Sequence, residues 1–184
     1  DCSHNQLIKI DLGKLNKITT LKVQNNKLEN IELQELNQLD TLNVGTNLLV
    51  NFSIPNSKML KYLNCMSNKL QDLDLLELKE LIHLDLAYNQ INSIDLNEQT
   101  SLLNLYCNYN PLSALDILKL SKLKVLNCNN TKIEILSIAN SKDLMQLDCS
   151  STSLYALLLK NGANELPELN ISGNDFLKYI CCEN

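Results

Sequence analysis

The chain has 184 residues, 45% of them apolar, with a net charge of −5 and a pI near 5.0. That balance disfavours nucleic acid and anionic membrane surfaces as partners, since both call for a basic patch. No apolar run reaches membrane-spanning length, and one pattern that recurs along the whole chain argues for a single elongated domain over residues 1–184.

Taken in chain order, an Asn or its stand-in falls at Asn5, Asn26, Asn47, Asn68, Asn89, Asn110, Thr131, Thr152 and Asn174, which makes about nine repeats. Each step is 21 residues except the last, 174 − 152 = 22, and the extra residue is placed in Gly162 to Asn164. Two residues past each of these positions stands an apolar residue: Leu7, Leu28, Leu49, Leu70, Ile91, Leu112, Ile133, Leu154 and Phe176. A fixed period of this size marks a solenoid, in which each repeat is one coil stacked on its neighbours.

Within a coil, apolar residues two apart predict an extended segment with both side chains in the core. The first such segment carries Leu21/Val23, Leu42/Val44, Leu63/Cys65, Leu84/Leu86, Leu105/Cys107, Leu126/Cys128, Leu147/Cys149 and Leu169/Ile171. The chain then turns at the Asn, whose side-chain amide suits the bonding of turning backbone. A second extended segment follows with Ile10/Leu12, Ile31/Leu33, Phe52/Ile54, Leu73/Leu75, Ile94/Leu96, Leu115/Ile117, Leu136/Ile138, Leu157/Leu159 and Tyr179/Cys181 inward. What remains of 21 residues is too short for a full helix, so a short turn or one 3₁₀ turn is expected on the return side.

The pattern L-x-x-L-x-L/C-x-x-N-x-L resembles the leucine-rich repeat family, and the 21-residue period with Cys and Asn positions is similar to its short bacterial subclass. The resemblance implies an α/β-type leucine-rich repeat solenoid, right-handed and strand-rich with very little helix. It implies a parallel β-sheet on the concave face, here with a second short parallel strand ladder. It also implies a protein-binding or surface-recognition role, in secreted or cell-surface bacterial proteins. Neither end looks like the polar cap a solenoid needs, so the chain is expected to be a trimmed piece of a longer protein. The absence of a leader then says nothing about compartment.

The chain's seven cysteines suggest disulfides or zinc, but their positions argue otherwise. Cys2, Cys65, Cys107, Cys128 and Cys149 share one inward slot, where parallel neighbours stack in a line rather than converge. Cys181 is expected inward and Cys182 outward. The carboxylates Asp11, Glu32, Asp74, Asp95 and Asp116 form an outward stripe that hydrogen bonds to turn amides and solvent would satisfy, a bound calcium being the alternative. No metal site and no cofactor are expected. Catalysis has little support: His83, Asp85 and Ser67 share a region of the surface, yet no oxyanion hole or phosphate loop accompanies them.

The outward residues of the first segments build the concave surface, which is small and amidic except at its middle. There Tyr62, Tyr88, Tyr106 and Tyr109 cluster with His83 and Met66, four of the chain's six tyrosines. Tyrosine offers large apolar area, one polar tip and few rotors to immobilise. The expected contact set is Tyr62, Asn64, Met66, His83, Asp85, Tyr88, Tyr106, Asn108, Tyr109 and Asn127. The expected role is non-enzymatic capture of a protein partner. The alternatives are a carbohydrate surface, because aromatics flanked by Asn and Asp also suit sugar rings, and a spacer with no ligand of its own.

Overall fold

The computed structural model describes residues 1–13, 15–33, 36–55, 57–160 and 166–182. Eight three-residue strands form one parallel sheet in the order β1 (Thr20–Lys22), β2 (Thr41–Asn43), β3 (Tyr62–Asn64), β4 (His83–Asp85), β5 (Asn104–Tyr106), β6 (Val125–Asn127), β8 (Gln146–Asp148) and β10 (Glu168–Asn170). The register is in phase throughout: Leu42, Leu63, Leu84, Leu105, Leu126 and Leu147 stand opposite one another. At the start of the chain, the Cys2 and His4 amides donate to Lys22 and Gln24 carbonyls, which continues the stack by one coil. Among the described residues there is no helix. The return side consists of paired tight turns, such as Leu78 N–H to Leu75 C=O and Leu81 N–H to Leu78 C=O.

The expected core is present: Leu21 and Val23 through Leu147 and Cys149 are buried along the sheet, together with Leu28, Leu49, Leu70, Ile91, Leu112, Ile133 and Leu154. The Asn column carries the connections between coils. Asn89 Nδ2 donates to the carbonyls of Cys65 (3.0 Å), Leu86 (3.0 Å) and Ala87 (3.3 Å), while its Oδ1 accepts from the Leu70 amide (3.0 Å). Asn26, Asn47, Asn68 and Asn110 repeat this arrangement. One side chain thus satisfies buried backbone groups of two coils where no ladder runs. Thr131 and Thr152 keep the bond to the carbonyl three residues back, Cys128 and Cys149, but have no amide to span to the previous coil.

The second ladder is shorter than expected. Among the described residues only β7 (Ile135–Ser137), β9 (Ala156–Leu158) and β11 (Tyr179–Cys181) form strands there, in the order β11-β9-β7. In earlier coils, Ile31/Leu33, Leu75, Leu96 and Leu115/Ile117 are buried as the alternation requires, but no strand pairing joins them among the described residues. The ladder begins where Thr replaces Asn. Asn26 to Asn110 each hold the amide two residues past the preceding Asn, a bridge Thr cannot make, and the coils pair backbone to backbone instead.

The last coil also departs in register. Ile180 stands opposite the buried Leu157, whereas Tyr179 pairs with Ala156 and Cys181 with Leu158. Ile180 therefore takes the core-facing parity expected of Tyr179 and Cys181. From Leu157 to Ile180 is 180 − 157 = 23 residues, one more than the Asn spacing, because a tight turn from the Asn174 carbonyl to the Leu177 amide adds a residue. For the same reason Phe176 is 68% exposed and Leu177 packs against the core in its place. The proposed insertion at Gly162 to Asn164 lies outside the described residues.

All seven cysteines are free. Cys65, Cys107, Cys128 and Cys149 are buried in the expected slot, and burial pushes the Cys107 and Cys149 thiols up to about 12. Cys181 and Cys182 are exposed. Asp11, Asp74, Asp95 and Asp116 each accept the backbone amide two residues on at 2.9 Å, which is the turn-amide reading of that stripe.

Asn89→Ala leaves several buried backbone groups unpaired and is expected to destabilise the protein by about 3 kcal/mol or more, read by urea unfolding. Asn89→Thr, which keeps one of those bonds, should lose roughly half as much. In a native thiol titration, Cys181 and Cys182 should react quickly, while the four buried cysteines react only on unfolding.

Candidate functional site

The outward side chains of the eight-stranded sheet alternate with the core residues and line the concave face. The structure resolves the central aromatics into two rows. Tyr62 and His83, opposite each other in β3 and β4, stack with centroids 4.4 Å apart and planes within 5°. Tyr106 closes the row against His83 at 5.5 Å and a 42° tilt. All three belong to strands, Tyr62 and His83 as first residues and Tyr106 as the last. A second row, Tyr88 on Tyr109, stacks at 4.2 Å and 10° where the chain leaves β4 and β5. These two are 47% and 43% exposed.

Tyr88 and Tyr109 occupy a special backbone position. The residue before each Asn has φ in the left-handed region: His4, Asn25, Thr46, Ser67, Tyr88, Tyr109, Asn130, Ser151 and Gly173. Asn and Gly tolerate it; a bulky ring is an outlier there. With φ of 57° and 54°, the two tyrosines carry a local strain of order 1 kcal/mol each that their mutual stacking offsets in part.

The amidic part of the surface has a structural task. Asn43, Asn64, Asp85, Asn127, Asp148 and Asn170 each accept, through Oδ1, the backbone amide two residues on. Tyr106 interrupts this column. Asn64 and Asn108, expected as contact residues, are only 9% and 7% exposed and support the surface rather than form it. Met66 and Asn127 remain partly open.

The two carboxylates of the column differ. Asp148 uses both oxygens: Oδ1 accepts from Ser150 N–H (3.0 Å) and Ser150 Oγ–H (2.7 Å), and Oδ2 from Asn129 Nδ2 (2.9 Å). Burial pushes its pKa up, but these bonds outweigh it and hold the carboxyl below its usual value. Among the described residues Asp85 accepts only from Ala87 N–H (3.0 Å), and burial pushes its carboxyl up. The three ion pairs among the described residues, Lys58–Glu77, Lys61–Asp40 and Lys79–Glu98, do not involve it. Burial pulls the pKa of His83 down, which favours the neutral ring at neutral pH. No hydrogen bond joins His83 to Asp85 or Ser67 among the described residues, so the three do not assemble into a catalytic relay.

Beside Tyr62, Lys22, Gln24, Thr41 and Asn43 line an open cavity of about 280 Å³. The Gln24 Oε1 atom is buried without a hydrogen-bond partner among the described residues. Sequence reasoning did not single out this hollow, although Gln24 stands in a column otherwise of Gly, Ala, Met, Asn and Ser. It also left aside Tyr155 and Tyr179, which pack edge to face at 5.1 Å beside the second sheet.

No protein-family model matches the sequence, and no curated protein does. Solved structures do. The functional domain of InlJ from Listeria monocytogenes, described as including a cysteine ladder, superposes with a TM-score of 0.80 at 28% identity, over 99% of this chain and 47% of that one. The chain has the leucine-rich repeat fold. YopM, a leucine-rich effector protein from Yersinia pestis, matches with a TM-score of 0.74 at 24% identity, over 97% of this chain and 52% of that one. The internalin InlF of Listeria monocytogenes matches at 0.63 and 22%, over 92% of this chain and 49% of that one. These last two show the fold alone. The chain spans about half the length of the structures it matches. Among its described residues no helix is long and apolar enough to cross a membrane.

Asp85→Asn keeps the acceptor for Ala87 N–H and is expected to stabilise the protein at pH 7 by about 0.5–1 kcal/mol. Burial raises the folded-state pKa above the unfolded value, so ionised Asp85 destabilises the fold at neutral pH. That deficit vanishes as pH falls through the raised pKa, and the advantage of Asp85→Asn should vanish with it in paired thermal melts across pH 3.5–7.

Proposed function

We propose that this chain is a non-enzymatic recognition module that binds a protein partner through the middle of its concave face, as part of a secreted or surface protein of a bacterium. The observation that carries the reading is the pair of aromatic rows, Tyr62–His83–Tyr106 and Tyr88–Tyr109. Tyr88 and Tyr109 hold exposed apolar rings in a backbone conformation that Asn or Gly would occupy with less strain. A sheet that only needed covering has no use for such residues, and strain of this kind marks sites where something besides stability is served. Long concave surfaces are also the usual binding feature of solenoids. The contact set that follows is Tyr62, His83, Tyr88, Tyr106 and Tyr109, with Met66, Asp85 and Asn127 at its borders. The likeness to InlJ supports the bacterial setting.

The test is a screen against a panel of purified proteins and a glycan array, run with wild type and with Tyr106→Ala/Tyr109→Ala. A protein hit that weakens at least ~30-fold in the double variant is the expected result, a loss typical of two hot-spot residues. Competition by free glycan would move the reading to carbohydrate. A folded protein without any hit would favour a spacer. Tyr109→Asn should bind poorly yet unfold within about 0.5 kcal/mol of wild type, since Asn130 shows that Asn fits the same backbone position.

A further inference from the structure

On the reading that the concave face is the binding surface, the remaining question is the chemistry of what it holds. Two acceptors on that face lack a donor. Asp85 Oδ1 is engaged by the Ala87 amide, whereas Oδ2 has no partner among the described residues. Gln24 Oε1 is likewise unpartnered. They flank the first aromatic row: Asp85 lies in the same strand as His83 and opposite Tyr106, and Gln24 lines the cavity that touches Tyr62. Neighbouring strands are about 4.8 Å apart, so Asp85 and Tyr106 are adjacent side chains on one face.

Among the described residues no ion pair neutralises Asp85. The nearest cationic side chain in its own column is Lys22, three strands away through Asn64 and Asn43, and the His83 ring is held neutral by burial at neutral pH. The comparison with Asp148 shows that the column itself does not require an open carboxylate. There, Ser150 and Asn129 close both oxygens. Next to Asp85, the corresponding residue after the strand is Ala87, which has no hydroxyl to give. Asn serves the same turn at Asn43, Asn64, Asn127 and Asn170 without any charge. A half-buried carboxylate with one open oxygen, opposite Tyr106 and two residues from His83 in the same strand, is suited to one kind of group: a cation that is itself partly apolar.

We propose that the protein partner presents an arginine or lysine side chain that seats on Asp85 Oδ2, with its charge against the Tyr106 and His83 rings. The carboxylate supplies a charge-assisted hydrogen bond and the rings a cation–π contact within about 6 Å. Partial burial of Asp85 and the rings weakens the screening of both interactions by water. The net charge of −5 disfavours a second copy of this chain as the occupant.

The test uses a random twelve-residue peptide library displayed on phage, selected on the intact protein and counter-screened with Tyr106→Ala/Tyr109→Ala. Binders sensitive to the tyrosine variant should be enriched in Arg or Lys at one position over the unselected library. Asp85→Asn, whose side chain is already used four times in this column, should weaken them at least ~30-fold. Replacing the enriched cation by citrulline or norleucine should weaken wild-type binding similarly and add little on Asp85→Asn. Tyrosine-sensitive binders without a preferred cation, or bound equally by Asp85→Asn, would overturn this inference and leave the concave reading standing. A library that yields no tyrosine-sensitive binder would overturn both.

Discussion

Every coil of this protein depends on one bonding problem and one side chain that solves it. After three residues of strand the chain must turn; amides such as those of Leu86 and Tyr88 still donate to the next coil, but other groups, the Leu86 carbonyl and the Leu70 amide among them, are left to a side chain. Unpaired, each such group costs on the order of 1–3 kcal/mol. The Asn amide has two donors and an acceptor on a short, stiff stem, enough to bond its own turn and reach the coil before it. In Asn89 these reach Cys65, Leu86 and Leu70 at once. The spacing of 21 follows from this bridge, because the turn and the apolar residue two places on must fall at the same height in successive coils.

The same turn determines what the concave face can display. The Asn enters its bonds only if the residue before it adopts left-handed backbone, which occurs from His4 to Gly173 in every coil. Whatever stands there is held rigidly at the edge of the face. In most coils it is small or amidic; in two it is tyrosine. Rigid rings lose little entropy on binding, so the conformation that strains Tyr88 and Tyr109 also presents them ready for contact. Structural need and recognition thus meet at neighbouring residues, Asn89 and Asn110 inward, Tyr88 and Tyr109 outward.

How much of this could be read in the sequence follows from how far each inference had to reach. Periodicity alone located the core, from Leu21 to Leu157, and the turn Asn, since both are nearest-neighbour properties of a repeating coil. It failed where a turn absorbed an extra residue: Phe176 holds the expected place after Asn174, yet Leu177 packs inward. The alternation rule also named Asn64 and Asn108 as surface residues. It gives the face a side chain points to, not what its neighbours cover, and both are buried. The second ladder was seen in nine coils and formed in three, because the pattern of apolar residues is the same with or without backbone pairing. The aromatic rows were half legible. Their residues stood out by type, but their stacking and the strain at Tyr88 and Tyr109 needed coordinates.

The place of the aromatics along the solenoid has its own logic. Stability in a stacked array is a sum of coil and neighbour terms, so a coil with partners on both sides can carry unfavourable residues that an end coil cannot. The coils from Tyr62 to Tyr109 are such coils. They hold two strained tyrosines and an uncompensated carboxylate, Asp85, within a stretch whose Asn bridges are complete at Asn68, Asn89 and Asn110. Farther along, where Thr131 and Thr152 weaken the bridges, the corresponding carboxylate is Asp148, fully bonded, and the left-handed positions are Asn130 and Ser151. The features that oppose folding therefore coincide with the best-bonded part of the stack, the arrangement expected if binding, rather than stability, selected the residues on this face.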